Sequence, residues 1–274
     1  MKGILLAAGA GSRLGPLTAT TSKHLLPVYD QPLVHYPLSV LMLAGIRDIL
    51  LIGVPDQLPR FRALLGDGSR LGLRMAYAEQ DEPRGIAEAL VIGADFAGSE
   101  PVCLVLGDNL FHGPDLEAVL RREATRVDGC VLFGHRVPDP ERFGVAVLDA
   151  HGALLDIREK PSVPPGDIAV TGLYMYSPEA VEYAGELSPS ARGELEITDL
   201  NRRFVAEGRA RLAGLGEDAV WLDAGTPDSL LDAGLFARTL REREGVRIGS
   251  PEDIARRLGY IGSGPARSTA GGLR

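Results

Sequence analysis

Cysteine is scarce in this chain of 274 residues: only Cys103 and Cys130 occur, each inside an apolar run. A disulfide framework or a cysteine-built zinc site needs more thiols at short spacing. Two isolated thiols in apolar surroundings read as reduced core residues, and reduced thiols fit the cytoplasm. Long apolar runs are missing too. No stretch of about 18 apolar residues is present to cross a bilayer, and no signal-type segment opens the chain, so no membrane association is expected. Positive charge is also in deficit, with 29 Lys and Arg against 37 Asp and Glu, a net charge of −8. Surfaces that bind nucleic acid are usually basic, so no nucleic-acid partner is expected. Any anionic ligand must be held by local Arg and Lys rather than by the global field. His35, His112, His135 and His151 are scattered, and none has triad or zinc spacing.

The two commonest phosphate-binding loops are absent as well. Walker A ends in Gly-Lys-Ser/Thr, whereas Gly11 is followed here by Ser12-Arg13. The dinucleotide fingerprint needs a third Gly where Leu14 stands. What is present is Ile4-Leu5-Leu6, an apolar run that reads as a buried strand, opening into Ala7-Ala8-Gly9-Ala10-Gly11-Ser12-Arg13. Glycines let a backbone approach a phosphate, and successive N–H groups form an anion nest. Arg13 and Lys23 add the positive charge that a triphosphate needs. A nucleotide site fits this segment, as does a plain strand-to-helix turn.

Along the chain, strand-like and helix-like segments alternate. Strands are expected at 2–7, 48–54, 74–80, 102–106 and 129–135, and helices at 32–44, 58–65, 86–96 and 116–125. This rhythm predicts an α/β fold with a doubly wound, mostly parallel sheet. Ligands of such sheets sit at the carboxyl ends of strands, where the loop after Ala7 and Gly107-Asp108-Asn109 both lie. Residues 145–149 and 154–160 flank Ala150-His151-Gly152-Ala153 and read as a β-hairpin. A strand follows at 169–176, a helix at 198–207 capped by Thr198 or Asp199, and a last strand at 219–222. Residues 227–244 and 251–258 are helical in pattern. We expect a catalytic domain over 1–226, a helical appendage over 227–261 and a disordered tail over 262–274. Leu230, Leu231, Leu235 and Phe236 are expected to pack the 227–244 helix on the main domain.

Several polar residues invite chemistry. Asp108 follows a buried strand directly, and Asp223 follows Val220-Trp221-Leu222. Two such aspartates suit Mg²⁺, which prefers hard oxygen donors and substrate phosphates, though helix capping or loop hydrogen bonding fits each alone. Trp221 reads as a core anchor. Pro161 ends a strand and leaves Glu159 and Lys160 at its rim, either for phosphate and hydroxyls or as an exposed ion pair. Arg192 lies in a loop before a helix, placed for bidentate phosphate recognition or for pairing with Glu194.

Together these segments resemble the glucose-1-phosphate thymidylyltransferase family. The likeness rests on Leu6 to Leu14, Ser22-Lys23-His24-Leu25-Leu26-Pro27, Leu106-Gly107-Asp108-Asn109, Glu159-Lys160-Pro161, Val170 to Tyr174, Ala191 to Asp199 and Trp221 to Thr226. It runs in register from Met1 to about Ile261. It implies a sugar-nucleotidyltransferase fold, Mg²⁺ and a homotetramer. By resemblance, Leu6, Ala8, Gly9, Gly11 and Ser12 would hold the nucleotide, Arg13 the departing pyrophosphate and Lys23 the phosphates. Gln80 and Gly85 match positions that read the base edge, with Pro83 and Ile86 beside them. Asp108 and Asp223 match magnesium ligands. Gly144, Glu159 and Val170 match the sugar site, and Lys160 and Arg192 the sugar phosphate.

The implied reaction transfers a nucleoside monophosphate from dTTP or UTP to a sugar 1-phosphate, glucose 1-phosphate being expected, with Arg13, Lys23, Lys160 and Arg192 as the catalytic cations. The same chemistry on another NTP, sugar or cyclitol phosphate is the alternative, and a silent nucleotide-sugar-binding subunit a further one. Five departures stand out: Ala8 for Gly, Ala10 for Ser, Ser12 for Thr, His24 for Gln and Phe143 for Tyr. Ala8 is expected to crowd the base or ribose, and His24 to add a group that carries charge near pH 6.5. Phe143 lacks a hydroxyl near the sugar. Gln80 suits the O4 and N3–H edge of thymine or uracil, but an amide that can flip does not exclude cytosine.

Overall fold

The computed structural model describes residues 1–262. It opens with strand β1 (Lys2–Ala7), the short hairpin β2 (Pro27–Val28) and β3 (Gln31–Pro32), and helix α1 (His35–Leu43). Next come β4 (Asp48–Gly53), α2 (Leu58–Leu65), β5 (Arg74–Glu79), α3 (Glu88–Ile92), α4 (Ala94–Ala97) and β6 (Val102–Leu106). The middle of the chain forms β7 (Asn109–His112), α5 (Leu116–Ala124), β8 (Cys130–Arg136), β9 (Gly144–Leu148), β10 (Leu154–Glu159) and β11 (Ile168–Tyr176). The last elements are α6 (Ala180–Gly185), α7 (Ile197–Ala206), β12 (Ala210–Gly214), β13 (Val220–Asp223), α8 (Pro227–Glu244) and α9 (Pro251–Arg257).

The heart of the main sheet is the parallel run β6-β1-β4-β5. Strands β1, β4 and β6 are near-continuous apolar runs because both faces are covered: Ile4, Leu5, Ile49, Leu51, Leu104 and Val105 are all fully buried, whereas β5 at the edge is only partly so. Strand β11 joins β6 antiparallel, and the expected hairpin is present as β9-β10 beyond it. β8 pairs with β11 antiparallel and with β12 parallel. Cys103 and Cys130 are free and buried in β6 and β8, and burial pushes the Cys103 thiol up to about 12.

Some sequence expectations need correction. The single helix expected over 86–96 is two, broken at Gly93, where an added Cβ would lie 2.6 Å from Ile4 Cδ1. α7 starts at Ile197 with Glu196 at its N-cap and no side-chain cap, so neither Thr198 nor Asp199 caps it. The Thr198 hydroxyl donates instead to Glu159 Oε2 at 2.6 Å. α8 begins with a capping box between Thr226 and Ser229, but its buried residues are Ala233, Ala237 and Leu240. Leu231 and Leu235 are 63% and 49% exposed, so they do not face the main body. Small alanines let α8 lie close and turn Leu231 and Leu235 outward, whereas Leu230 and Phe236 pack as expected against the cluster that includes Val28, Leu33 and Tyr36. α9 packs on α1, with Ala255 wholly buried. Of the tail expected over 262–274, all but Gly262 lies outside the described residues.

Candidate active site

The first functional element is the loop that leaves β1. Gly11 sits at φ +63°, a left-handed conformation that only glycine adopts freely. The loop folds over the Lys23 side chain: a Cβ on Gly9 would lie 3.2 Å from Lys23 Nζ, and one on Gly11 3.2 Å from Lys23 Cβ. Thr18 Oγ1 pins the loop by donating to the Gly11 carbonyl at 3.0 Å. Among the described residues, the backbone N–H groups of Gly9, Ala10 and Gly11 donate to nothing else in the protein. Three consecutive N–H groups without partners form a concavity suited to an anion. The Ala8 methyl is buried in the core, 3% exposed, and therefore faces away from the open side of the loop.

The second element is a short two-stranded sheet. β7 and β13 pair antiparallel with Asn109 opposite Asp223, and Ala224 N–H donates to the Asp108 carbonyl at 2.9 Å. This pairing sets Asp108 and Asp223 side by side on one wall of a cavity of about 500 Å³. Asp108 is buried and paired with the Lys23 ammonium. Burial pushes its carboxyl up, but Lys23, His24 and a hydrogen bond from Asn109 outweigh burial and hold it down at about 2. Asp223 goes the other way. Burial and the neighbouring Asp108 push it up to about 6, against the opposing charges of Lys23, Arg13 and Arg142. The site therefore carries a second negative charge that its own cations do not fully offset. A divalent cation with hard-oxygen preference would relieve it, so the donor set fits such an ion.

Arg13 reaches the same wall. A Cβ on Gly225 would stand 2.6 Å from its guanidinium and 3.0 Å from Asp223 Oδ1, so both groups flank Gly225. Across the cavity lie Gly144, Glu159, Lys160 and Val170, together with Leu106 and Ile86. Arg192 does not line the cavity; it forms a bidentate ion pair with Glu196, at 2.8 and 3.1 Å, and comes within 3.9 Å of Glu159. Its nearer partner is thus Glu196 rather than Glu194, which is 3.6 Å away. Lys160 pairs with Glu159 at 3.6 Å from a backbone at φ +38°.

Gln80, Pro83 and Gly85 stand at the end of β5, outside the cavity lining but next to Ile86 within it. Gly85 is at φ +104°, and a Cβ there would lie 2.3 Å from the Leu195 carbonyl. Leu195 N–H donates to the Arg84 carbonyl at 2.7 Å, and Ala87 N–H to Leu195 at 3.2 Å. The 82–87 turn is thereby laced to the loop that carries Arg192.

His24 corrects an expectation. It is buried against Gly107 and bonded to Ser22 Oγ at 2.9 Å, and it does not line the cavity. Burial, helped by Lys23, drops its pKa to about 3, so the ring is neutral at pH 6.5. The consequence is a stability slope. The contribution is complete above pH 6.5 and is lost as pH falls toward 3, because the unfolded chain takes up this proton first. His24→Gln is expected to remove about 2 kcal/mol of the destabilisation seen between pH 7 and 5, measured by urea unfolding. Identical slopes for both proteins would refute it.

The sequence profile of the nucleotidyl transferase family matches residues 2–239. The chain belongs to this family. The glucose-1-phosphate thymidylyltransferase of Xanthomonas campestris pv. campestris (strain B100) is 53% identical over 260 residues, covering 95% of this chain and 88% of the relative. The Neisseria gonorrhoeae enzyme of that name is 51% identical over 261 residues, covering 95% and 91%. A Bacillus anthracis crystal structure assigned to the same activity, complexed with sucrose, superposes with a TM-score of 0.83. It is 38% identical and covers 92% of this chain and 99% of its own. A UDP-glucose pyrophosphorylase bound to UDP-glucose shares the fold, with a TM-score of 0.76 at 22% identity, covering 88% and 99%. Among the described residues, no helix is long and apolar enough to cross a membrane.

Within this nucleotidyl transferase, Asn109, Trp221 and Arg142 line the cavity although their sequence context gave none of them a role in the site. Asn109 donates to Asp108 Oδ1 at 2.9 Å and accepts from Gly172 N–H at 3.0 Å and Trp221 Nε1 at 2.6 Å. Trp221 is thus more than a core anchor, because it lines the cavity and packs on Phe143 with ring centroids 5.0 Å apart. Arg142 lies over the Phe143 ring, 5.2 Å from its centroid, and faces the same space. Arg142 stands beside Phe143, the residue already noted for its missing hydroxyl, and proximity in sequence was the one available signal.

Proposed function

We propose that this chain transfers a nucleoside monophosphate from dTTP, with substantial use of UTP, to glucose 1-phosphate, giving a nucleotide-sugar and pyrophosphate. The observation that carries this reading is one cavity with two differently charged walls. Arg13 and the Asp108–Asp223 pair line one side and Glu159 and Lys160 the other, and the loop with the unpartnered Gly9–Gly11 N–H groups leads into Arg13. The relatives' names support the choice of base and sugar.

A phosphate oxygen of the sugar 1-phosphate forms a bond to the α-phosphorus while the bond from that phosphorus to the bridging oxygen breaks. The electron pair leaves on pyrophosphate. The incoming phosphate is already anionic, so no protein nucleophile or strong base is required. The chain's part is positioning and charge stabilisation. Arg13 and the loop N–H groups hold the triphosphate and meet the charge that grows on pyrophosphate. Lys160 holds the sugar phosphate, and Arg192 joins it by exchanging Glu196 for phosphate oxygens. Glu159, braced by Thr198, accepts from sugar hydroxyls. Asp108 and Asp223 would hold Mg²⁺, which when bound neutralises phosphate charge. The same reading includes a homotetramer, for which exposed Leu231 and Leu235, with Leu17 and Tyr29 beside them, supply an apolar face for a second copy.

The test is pyrophosphate release from five NTPs against a panel of sugar 1-phosphates with Mg²⁺. The highest kcat/KM is expected for dTTP with glucose 1-phosphate, and UTP is expected next. A preference for ATP, GTP or CTP would overturn the assignment of the base.

A further inference from the structure

Gln80 is the residue through which the base would be read, and its amide is not free to turn. The side chain is buried, 4% exposed. Its Nε2 donates to Glu88 Oε2 at 2.7 Å and to the Gly85 carbonyl at 3.2 Å. Those two bonds use both N–H groups of the amide. Turning the amide over would set Oε1 against a carboxylate and a carbonyl, two acceptors with nothing to donate. Glu88 is itself fixed, 7% exposed, with Arg84 donating to its other oxygen from Nε at 2.8 Å. Among the described residues nothing donates to Gln80 Oε1, and this atom is not sealed in the core. The Gly85 N–H is likewise without a partner among the described residues.

We propose that Glu88 is a positioning residue for base selection: it locks the Gln80 amide with Oε1 outward, so that the site accepts only a ring edge that donates there. The proposal rests on the function given above and deepens it. Gly85 N–H and Gln80 Oε1 present a donor beside an acceptor. Thymine and uracil offer the matching O4 acceptor and N3–H donor. Cytosine offers an N4 amino donor and an unprotonated N3, the reverse order. The ambiguity of a freely flipping glutamine is thus removed by a buried carboxylate eight positions further along the chain. A site built around fixed hydrogen-bonding groups rejects an ill-matched partner strongly, because its own buried groups are then left unpaired.

The experiment measures kcat/KM for dTTP, UTP and CTP at saturating glucose 1-phosphate. The wild type is expected to prefer UTP over CTP by about a hundredfold or more. Glu88→Met keeps the volume but removes the acceptor. It is expected to cut the preference for dTTP over CTP at least tenfold, mainly through a raised KM for dTTP. Glu88→Gln keeps an acceptor and is expected to hold the ratio within about threefold of wild type. In a Gln80→Met background, Glu88→Met is expected to change the ratio no further, since Glu88 acts only through Gln80. That double variant removes both partners of the Gln80–Glu88 bond; of the groups they also served, the Arg84 guanidinium is exposed to water and the Gly85 carbonyl loses one long bond of 3.2 Å. An unchanged ratio in Glu88→Met, or an equal effect of Glu88→Met with and without Gln80, overturns the proposal. So does a wild type that uses CTP within threefold of UTP, a result that needs no variant. These failures leave turnover of dTTP with glucose 1-phosphate intact, whereas no turnover with any NTP would overturn the function and this inference with it.

Discussion

Asp223→Asn is expected to lower turnover by a hundredfold or more while the fold survives. Asp223 is the better probe of the carboxylate pair for an electrostatic reason. Burial and Asp108 already push its proton affinity up to about 6, so an uncharged amide costs the empty site little or nothing in stability. What the amide removes is the second anionic oxygen donor for a divalent cation. Asp108→Asn is a harsher change, because it strands the buried Lys23 ammonium without its partner. That variant is expected to lose turnover equally but also about 3 kcal/mol of stability. Pyrophosphate release at saturating Mg²⁺, with thermal unfolding as the control, separates the two outcomes. Near-normal turnover in Asp223→Asn would remove the pair from the reaction.

Arg13→Ala should produce the next largest loss, about a hundredfold in kcat, with a smaller rise in KM for either substrate. The reasoning rests on where charge appears. Arg13 is exposed at the end of the glycine loop and shares the Gly225 corner with Asp223. The triphosphate carries its charge before and during reaction, but the fraction on the leaving oxygen grows only as the bond breaks. A cation at that point stabilises the transition state more than the ground state, which is seen in kcat. A pure KM effect would make Arg13 a ground-state anchor, and Arg13→Lys, which restores charge without the bidentate fork, is expected to recover only part of the rate.

The parts of the fold that could be read from sequence are those with strong periodicity or a long apolar run. Strand β1 and strand β6 fall where expected because continuous apolar runs have one stable home, the interior of a parallel sheet. Helix α2 spans Leu58–Leu65, the range expected for it, and ends before Gly66. The glycine loop and both aspartates were likewise visible, since each comes at the end of an apolar run, and Arg13 closes that loop. What lay hidden was the β7–β13 pairing, and with it the reason that Asp108 and Asp223 are neighbours. Two strands of four residues hold too few periods to signal themselves, and their partnership spans more than a hundred residues of chain. Glu88 was invisible for a related reason. In sequence it is one more charged residue in a helix, and only burial beside Gln80 gives it a task. α8 misled at Leu231 and Leu235, which outweigh Ala233 and Ala237 in apolarity, while close packing placed the two alanines inward.

The lacing of Gly85 to Leu195 bears on how such a site changes over generations. A side chain at position 85 would collide with a carbonyl that cannot yield without releasing the neighbouring loop, so this corner is closed to mutation by single steps. If Gln80 reads the base as proposed, variation in base choice would travel through side chains instead of backbone, through Gln80 and its buried partner Glu88. A lineage drifting toward a different nucleotide would then loosen its choice first at Glu88 and refit Gln80 afterwards, with the Arg192 loop still laced to the 82–87 turn.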